Sequence, residues 1–154
     1  MNVAQFATLM KRASRYGFAK QSKAIEQAGK DFQAAQAGNF DRAEDANGRP
    51  WKEHAPLTIA LHGPHPLLIL SGAMKRAATG GAGSVIKVKA GAKESTVVVS
   101  ISNSTIPYAW KHQHGAGRIP RRQFFYLARE AREPLRVRFL AAVTKQIKAD
   151  LKWP

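Results

Sequence analysis

The stretch from Ile86 to Ser102 reads IKVKAGAKESTVVVSIS, and it decides the fold because two strand patterns flank one short linker. In each half, alternate residues are apolar, as in a strand that turns one face toward the protein interior. The residues on that face are Ile86, Val88 and Ala90 in the first half and Val97, Val99 and Ile101 in the second. The linker, residues 91–95, is short enough for a hairpin, so the stretch predicts two antiparallel strands with one dry face.

The sequence before the hairpin predicts a long N-terminal helix from about Val3 to Ala37. Apolar residues recur there at spacings of three and four, which places them on one side of a helix. They are Phe6, Met10, Ala13, Gly17, Ala24, Ala28, Phe32 and Ala35. Gly38-Asn39 predicts the end of the helix, because glycine adopts the left-handed conformation without a steric penalty. We expect this apolar stripe to cover the dry face of the hairpin.

The segment between the helix and the hairpin contains many residues that break regular structure. Residues 40–66 include four prolines and two Gly-containing turn signals, so they are predicted to be irregular. Ser71 is placed to cap a short helix through residues 74–76, because its hydroxyl can accept hydrogen bonds from free amide groups of the first turn. Residues 79–83 are rich in glycine and predict a loop.

Three further elements are predicted after the hairpin. Tyr108 to His114 is expected to form a short helix that ends at Gly115, and Gln123 to Leu127 a further strand with aromatic side chains. A C-terminal amphipathic helix is expected to begin near Glu133-Pro134, since proline is tolerated in the first turn of a helix. Its apolar side comprises Leu140, Val143, Ile147 and Leu151.

Together these elements predict one α+β domain, a small antiparallel β-sheet packed by a long N-terminal helix and a C-terminal helix. Its parts are an N-terminal helix (1–37), an irregular loop region (38–83), a β-sheet region (84–127) and a C-terminal helix (128–154). A chain of 154 residues fits a single domain. No apolar run reaches the roughly 18 residues of a membrane span, and the first residues lack a secretory pattern. We therefore expect a soluble protein, made in a cytoplasm, with no membrane partner.

The charge of the chain is its most unusual bulk property. Lys and Arg number 25 against 10 Asp and Glu, a formal net charge of +15. The densest basic cluster comprises Arg118, Arg121 and Arg122, and the one acidic patch runs from Asp41 to Asp45. Such a charge favours polyanionic partners, either nucleic acid or acidic protein surfaces, and it also serves solubility. Guanidinium groups suit carboxylates or phosphates, so the cluster is a candidate basic interface or a solvated surface.

Catalytic and metal-binding patterns are not found in the sequence. The chain has no cysteine, and His112 and His114 would diverge by about 200° on a helix. His62 and His65 could converge, but no Asp, Glu or Cys lies within the same motif to complete a metal site. A nucleophile elbow and a phosphate-binding loop are also missing. We therefore expect no catalytic residue, no metal, no cofactor and no enzymatic activity.

Trp51 and the predicted short helix that begins at Tyr108 each have two interpretations, one structural and one functional. Trp51 can pin its loop to the core or fill a pocket on a partner. Tyr108, His112 and Gln113 lie on one predicted short helix that ends at Gly115. They can form a hydrogen-bond network that fixes this loop to the sheet, or they can bind a ligand.

The stretch from Ile106 to Phe125, IPYAWKHQHGAGRIPRRQFF, combines with two upstream motifs, Trp51-Lys52 and Ser71-Gly72. In this order and spacing they resemble the phage virion morphogenesis (tail-completion) family, over about residues 38–127. The residues that match the family pattern are Trp51, Ser71, Gly72, Tyr108, His112, Gln113, Gly115, Pro120, Arg121 and Phe124. His114, Gln123 and Tyr126 depart from it.

The resemblance implies a structural virion assembly protein of a bacteriophage or prophage. Such a protein would complete the tail or form an oligomeric ring, most often a hexamer, at the head–tail joint. Its partners would be other virion proteins, namely the tail tube or tail terminator and the head connector. It would be made in the bacterial host cytoplasm and reside in the tail or neck of the virion. The alternative function, suggested by the charge, is a basic nucleic-acid-binding module, with direct DNA contact.

Overall fold

The structure, a computed structural model, describes residues 21–90 and 95–151 of the chain. Two strands and five helices occupy this part, and the α+β class is confirmed. In chain order they are α1 (Ser22–Arg42), α2 (Pro56–His62), α3 (Ala73–Ala78), β1 (Ser84–Ala90), β2 (Ser95–Ile101), α4 (Ala109–His114) and α5 (Arg129–Leu151). Among the helices described, none combines the length and apolar character that a bilayer crossing requires.

The predicted antiparallel pairing of the two strands is confirmed. β1 and β2 pair antiparallel, with Ile86 opposite Val99 and Val88 opposite Val97. The first four residues of the linker, 91–94, lie outside the described residues. α1 covers the apolar face of the hairpin at Gly29, where an added Cβ would lie 2.9 Å from Cγ2 of Val97. The absence of a side chain at this position therefore sets how closely the helix approaches the sheet.

The N-terminal helix extends further than its glycine signal predicts. Residues 3–20 of the predicted helix lie outside the described residues, and α1 continues past Gly38 as far as Arg42. The predicted end at Gly38-Asn39 is wrong, because Asn39 and Phe40 are both buried in contacts that require the helical backbone. The left-handed residue that ends the helix is instead Ala43, with φ 53°.

The buried side of α1 is only partly apolar. Of the predicted apolar stripe, Ala24 is buried, and Ala28, Phe32 and Ala35 are half-buried. Ile25, which lies outside the stripe, is buried too. Gln33, Gln36 and Asn39 are also buried. Their amides make hydrogen bonds inside the protein, so the burial of polar atoms is compensated. A pattern of apolar residues cannot reveal such a face, because it assigns amides to solvent.

Two shorter helices follow their sequence signals. α3 begins at Ala73, and the Ser71 hydroxyl accepts a hydrogen bond from the Ala73 amide at 3.3 Å. Ser71 therefore binds an amide of the first turn as predicted, but the residue at the N-cap is Gly72, which has no side chain to form a cap. α4 spans Ala109–His114 and ends at Gly115, as predicted.

Three predicted boundaries are wrong. Residues 56–62 were expected to be irregular but form α2, with Pro56 at the start of the helix. Residues 123–127 form no strand, because side-chain amides rather than a neighbouring strand bind their backbone. α5 begins at Arg129 instead of near Pro134, which lies inside the helix. Of the predicted apolar side of α5, Val143 and Ile147 are half-buried as expected, but Leu140 is exposed. Leu135 and Phe139 are half-buried as well.

The hydrophobic core lies where α1, α3, α4 and the segment 123–126 meet. Its largest members are Phe40, Trp51, Met74, Ile106 and Phe124. Phe40 contacts both Trp51 and Phe124, with ring centroids 6.0 and 5.5 Å apart. The loops that carry the family motif are therefore attached to one aromatic cluster.

Candidate functional site

Trp51 belongs to the interior of the protein. It is only 4% exposed, and its indole Nε1 donates a hydrogen bond to the Gln123 carbonyl at 3.0 Å. Of its two interpretations, the structure therefore supports pinning, since the ring fastens residues 49–52 to the core.

Gln113 joins α4 to the segment that was predicted to be a strand. Its Oε1 accepts hydrogen bonds from the amides of Phe124 and Phe125 at 3.1 and 3.0 Å, and its Nε2 donates to the Phe125 carbonyl at 3.0 Å. Asn39 donates from α1 to the carbonyls of Phe124 and Tyr126. The network around Gln113 therefore fixes α4 to residues 124–126, and not to the sheet.

The three arginines of the basic cluster have different environments. Arg118 and Arg121 are exposed, whereas Arg122 is 5% exposed. The Arg122 guanidinium donates from Nε to the Lys52 carbonyl at 2.7 Å and from Nη2 to the Glu53 carbonyl at 2.8 Å. Burial lowers the pKa of this guanidinium, while the charge of Glu53 opposes that effect. Arg122 thus holds the loop after Trp51, and only the other two arginines offer a basic surface.

Gly72 and Gly115, two of the motif residues, have backbone conformations that favour glycine. Both have positive φ, 73° and 80°. A Cβ on Gly115 would also lie 3.2 Å from the Arg121 amide. Pro120 is half-buried in the turn that follows. These residues shape the chain around α4.

A pocket of about 740 Å³ lies between α2, the start of α3, α4 and residues 118–122. Four of the five histidines of the chain line it: His54, His62, His65 and His112. The rings of His54 and His65 lie 4.2 Å apart, and those of His62 and His65 6.4 Å apart. Tyr108, predicted with His112 on one helix, also lines the pocket, whereas His114 does not.

The sequence indicated that His62 and His65 could converge, but it contains no signal that brings them together with His54 and His112, which lie in two other segments. Within the residues that the structure describes, no three His, Asp or Glu side chains are grouped as a metal site requires.

Two buried imidazole nitrogens in this pocket, Nε2 of His54 and Nδ1 of His112, have no hydrogen-bond partner. Burial lowers the pKa of His112, and the neighbouring Arg122 and His54 lower it further. His112 is therefore neutral near pH 7. An unpaired buried polar atom is costly, so a pocket that contains two of them is suited to a polar ligand.

The outer wall of the pocket is an exposed helix. α2 contributes Pro56, Thr58 and His62 to the pocket and buries none of its seven residues. It contains no Lys, Arg, Asp or Glu. Leu57 and Leu61 are 69% and 68% exposed and, four residues apart, lie on the same side of the helix. We call these two residues the α2 ridge.

A second exposed apolar surface lies on α5. This helix packs mainly against α1, and none of its residues from 129 to 150 is fully buried. Val137 and Leu140 are exposed and three residues apart, which places them on one side. We call these two residues the α5 ridge.

The chain was compared with known protein families, with curated proteins and with solved structures, and it matches none of them. Functional conclusions therefore depend on the residues and surfaces described above.

Proposed function

We propose that this chain is a structural assembly protein of a phage or prophage virion, which completes the tail or forms a ring at the head–tail joint. It works by packing against other protein subunits and carries out no chemical reaction. The proposal combines the motif resemblance with the surfaces that the fold leaves exposed.

The observation that carries the proposal is the α2 ridge. Leu57 and Leu61 are more than two-thirds exposed on a helix that has no charged residue and no buried residue. Contiguous apolar surface of this kind marks protein interaction sites. The helix is held next to the core by Trp51 and Arg122, so it is presented in a defined position.

Ring formation needs two different complementary surfaces on every copy, because a head-to-tail contact joins unlike patches. The α2 ridge and the α5 ridge are two such apolar surfaces, formed by different elements. We assign them to contacts between subunits in a ring, with a hexamer as the expected state. The tail tube or tail terminator and the head connector are the expected neighbours, and the site of action is the tail or neck of the virion.

The proposal is tested with the purified full-length chain and three variants. We expect light scattering to detect a ring for the unmodified chain, either alone or bound to isolated tails. Leu57→Glu and Leu61→Glu place a charge on the α2 ridge, so both should reduce association at least about tenfold, since a charge in an apolar contact is costly. Val98→Glu is the matched control, because Val98 is also exposed but lies on β2, where its partner across the hairpin is Lys87.

A strict monomer at high concentration that binds neither tails nor connector would refute the proposal. Tight binding of duplex DNA at about 150 mM salt by micromolar protein would favour the nucleic-acid-binding function instead, since non-specific contacts with phosphates weaken steeply with salt.

A further inference from the structure

Arg122 is a buried cation that forms no ion pair within the described residues, although the charge of Glu53 acts on it from beyond ion-pair distance. The four ion pairs within the described residues use other basic groups, namely those of Lys30, Arg42, Lys75 and Arg136. Arg122 is bound only by the two backbone carbonyls noted above. Buried charges in proteins are normally paired, since an uncompensated one is unfavourable. The pocket beside Arg122 is where a compensating anion would fit.

The charges around the pocket agree with this requirement. Lys52, Arg118 and Arg122 line it, against the single carboxylate of Glu53. The formal balance is therefore positive even with every histidine neutral. Other lining residues are apolar: Leu68, Leu70, Met74, Ile119, Pro56 and Pro120. The pocket thus combines a positive centre with an aliphatic wall.

We propose that this pocket binds a Glu or Asp side chain carried on an aliphatic segment of a partner virion protein. The carboxylate would lie near Arg118 and Arg122, and the neighbouring aliphatic side chains would pack on the pocket wall and on the α2 ridge. The inference rests on the proposed function for one point, that the partner is a protein.

The arrangement of basic and aliphatic side chains in the pocket favours a carboxylate on an apolar segment over a nucleic-acid backbone. A phosphodiester chain carries a charge on every unit and no aliphatic groups, so it suits extended basic surfaces. Here the positive groups meet inside a concave site with an aliphatic lining, and the adjacent α2 carries no Lys or Arg. Arg118 is exposed and takes part in none of the ion pairs among the described residues. Its planar guanidinium can therefore bind a carboxylate.

The imidazoles of His54 and His112 can form a second contact with the bound carboxylate, and their signals report whether the pocket is occupied. His54 Nε2 and His112 Nδ1 are the unpaired polar atoms of the pocket, and a neutral imidazole can donate one hydrogen bond to a carboxylate. A negative charge beside His112 would also favour its protonated form. Occupation of the pocket is therefore expected to move the imidazole signals of His54 and His112, whereas that of His114, which lies outside the pocket, should stay in place.

The test uses ¹⁵N-labelled full-length protein and two capped pentapeptides, Gly-Leu-Glu-Leu-Gly and Gly-Leu-Gln-Leu-Gly. Nuclear magnetic resonance titration gives a dissociation constant for each and follows the histidine rings. We expect the Glu peptide to bind at least about tenfold more tightly than the Gln peptide, because the two differ only in a charge-assisted contact. Sodium phosphate and a DNA duplex are titrated in parallel.

Two variants distinguish binding in the pocket from attraction to the overall positive charge of the protein. Arg118→Gln removes an exposed arginine that lines the pocket, and Arg121→Gln removes an exposed arginine in the same turn that does not. Both have the same net charge. We expect Arg118→Gln to abolish the preference for Glu over Gln, and Arg121→Gln to preserve it. Arg122 is left intact, because its loss would also free two loop carbonyls.

Equal affinity of the unmodified protein for the two peptides would overturn the inference. The same preference for the Glu peptide in Arg118→Gln and Arg121→Gln would also overturn it. Tighter binding of phosphate or DNA than of the Glu peptide would also overturn it. These outcomes are independent of the ring and tail-binding measurements above. A protein that joins tails but ignores the peptides loses only this inference, whereas one that binds the peptides but not tails loses the proposed function.

Discussion

The side chain of Asn39 links parts of the chain that are far apart in the sequence. It is fully buried, and its Nδ2 donates to the carbonyls of Phe124 and Tyr126 at 3.1 and 3.0 Å. Its Oδ1 accepts a hydrogen bond from Arg42 Nη2 at 2.7 Å. One amide thus fixes α1 to a segment more than eighty residues later in the sequence.

We predict that Asn39→Asp destabilises the protein strongly. A carboxylate cannot donate to the two carbonyls, so both acceptors would lose their donor and would face a buried negative charge, although Arg42 would still bind one carboxylate oxygen. The expected loss is about 3 kcal/mol or more in the free energy of unfolding, measured by urea denaturation. Asn103→Asp is the control, since Asn103 is exposed and should change the free energy by less than about 0.5 kcal/mol. Equal stability of the two variants would contradict the role of Asn39.

His112 is predicted to make stability depend on pH. Its pKa in the folded protein lies below the ordinary value of 6.5, chiefly because of burial. As pH falls below about 6.5, the unfolded chain therefore takes up a proton more readily than the folded one, and stability decreases. The contribution of the neutral His112 imidazole to stability is fully present above the pKa that this group has in the unfolded chain.

The check is denaturation at pH 7.5, 6.5 and 5.5. The decrease in stability on acidification should be smaller in His112→Gln than in the unmodified chain. His114→Gln alters an exposed imidazole outside the pocket and should keep the full decrease. The same pH dependence in all three proteins would mean that His112 titrates normally.

At the scale of elements, the contact of α1 with the hairpin depends on Gly29. A Cβ there would lie 2.9 Å from Val97 Cγ2 and 3.4 Å from Ile86 Cγ2, within a packed layer. Alanine normally favours a helix over glycine by roughly 1 kcal/mol. The steric conflict with the sheet opposes this gain.

We predict that Gly29→Ala lowers the free energy of unfolding by about 1–2 kcal/mol, as overpacking does in other cores. Gly38→Ala in the same helix is the matched control, because its Cβ would meet only the end of the Arg42 side chain. That variant should be neutral or more stable. A stabilised Gly29→Ala protein, measured by thermal or urea unfolding, would refute the close approach of helix and sheet.

The same elements explain how far the sequence predicts the fold. The hairpin and α4 were predictable because their signals are local: alternation in the strands, and a glycine directly after the helix. The end of α1 was not, since the burial of Asn39 depends on residues 124–126. The aromatic run 123–127 resembled a strand, but its backbone is bound by Gln113 and Asn39 instead of a strand partner.

The candidate site was even less predictable. Gly115 could be given a structural role from residue type alone, since a glycine after a helix commonly ends it. Trp51 had two interpretations, and only its burial in the core decides between them. The burial of Arg122 and the convergence of His54, His65 and His112 could not be predicted. Both arise from the way that loops pack around Trp51 and α4, and local sequence contains no signal for it.

At the scale of the whole molecule, the interior and the exterior have separate tasks. Motif residues such as Trp51, Gln113 and Phe124 stabilise one aromatic core. The exterior presents the α2 ridge, the α5 ridge and a basic pocket. A protein built in this way is suited to joining other subunits, and the high positive charge adds attraction for acidic surfaces.

The proposed function requires that the gene belong to a phage or prophage, so the most direct test is deletion of the gene there, followed by electron microscopy of the particles. We predict that heads and tails form but stay separate, and that the unmodified chain restores joined virions. Leu61→Glu should fail to restore them, and Val98→Glu should succeed. Joined, infectious virions in the absence of the chain would contradict the proposed function.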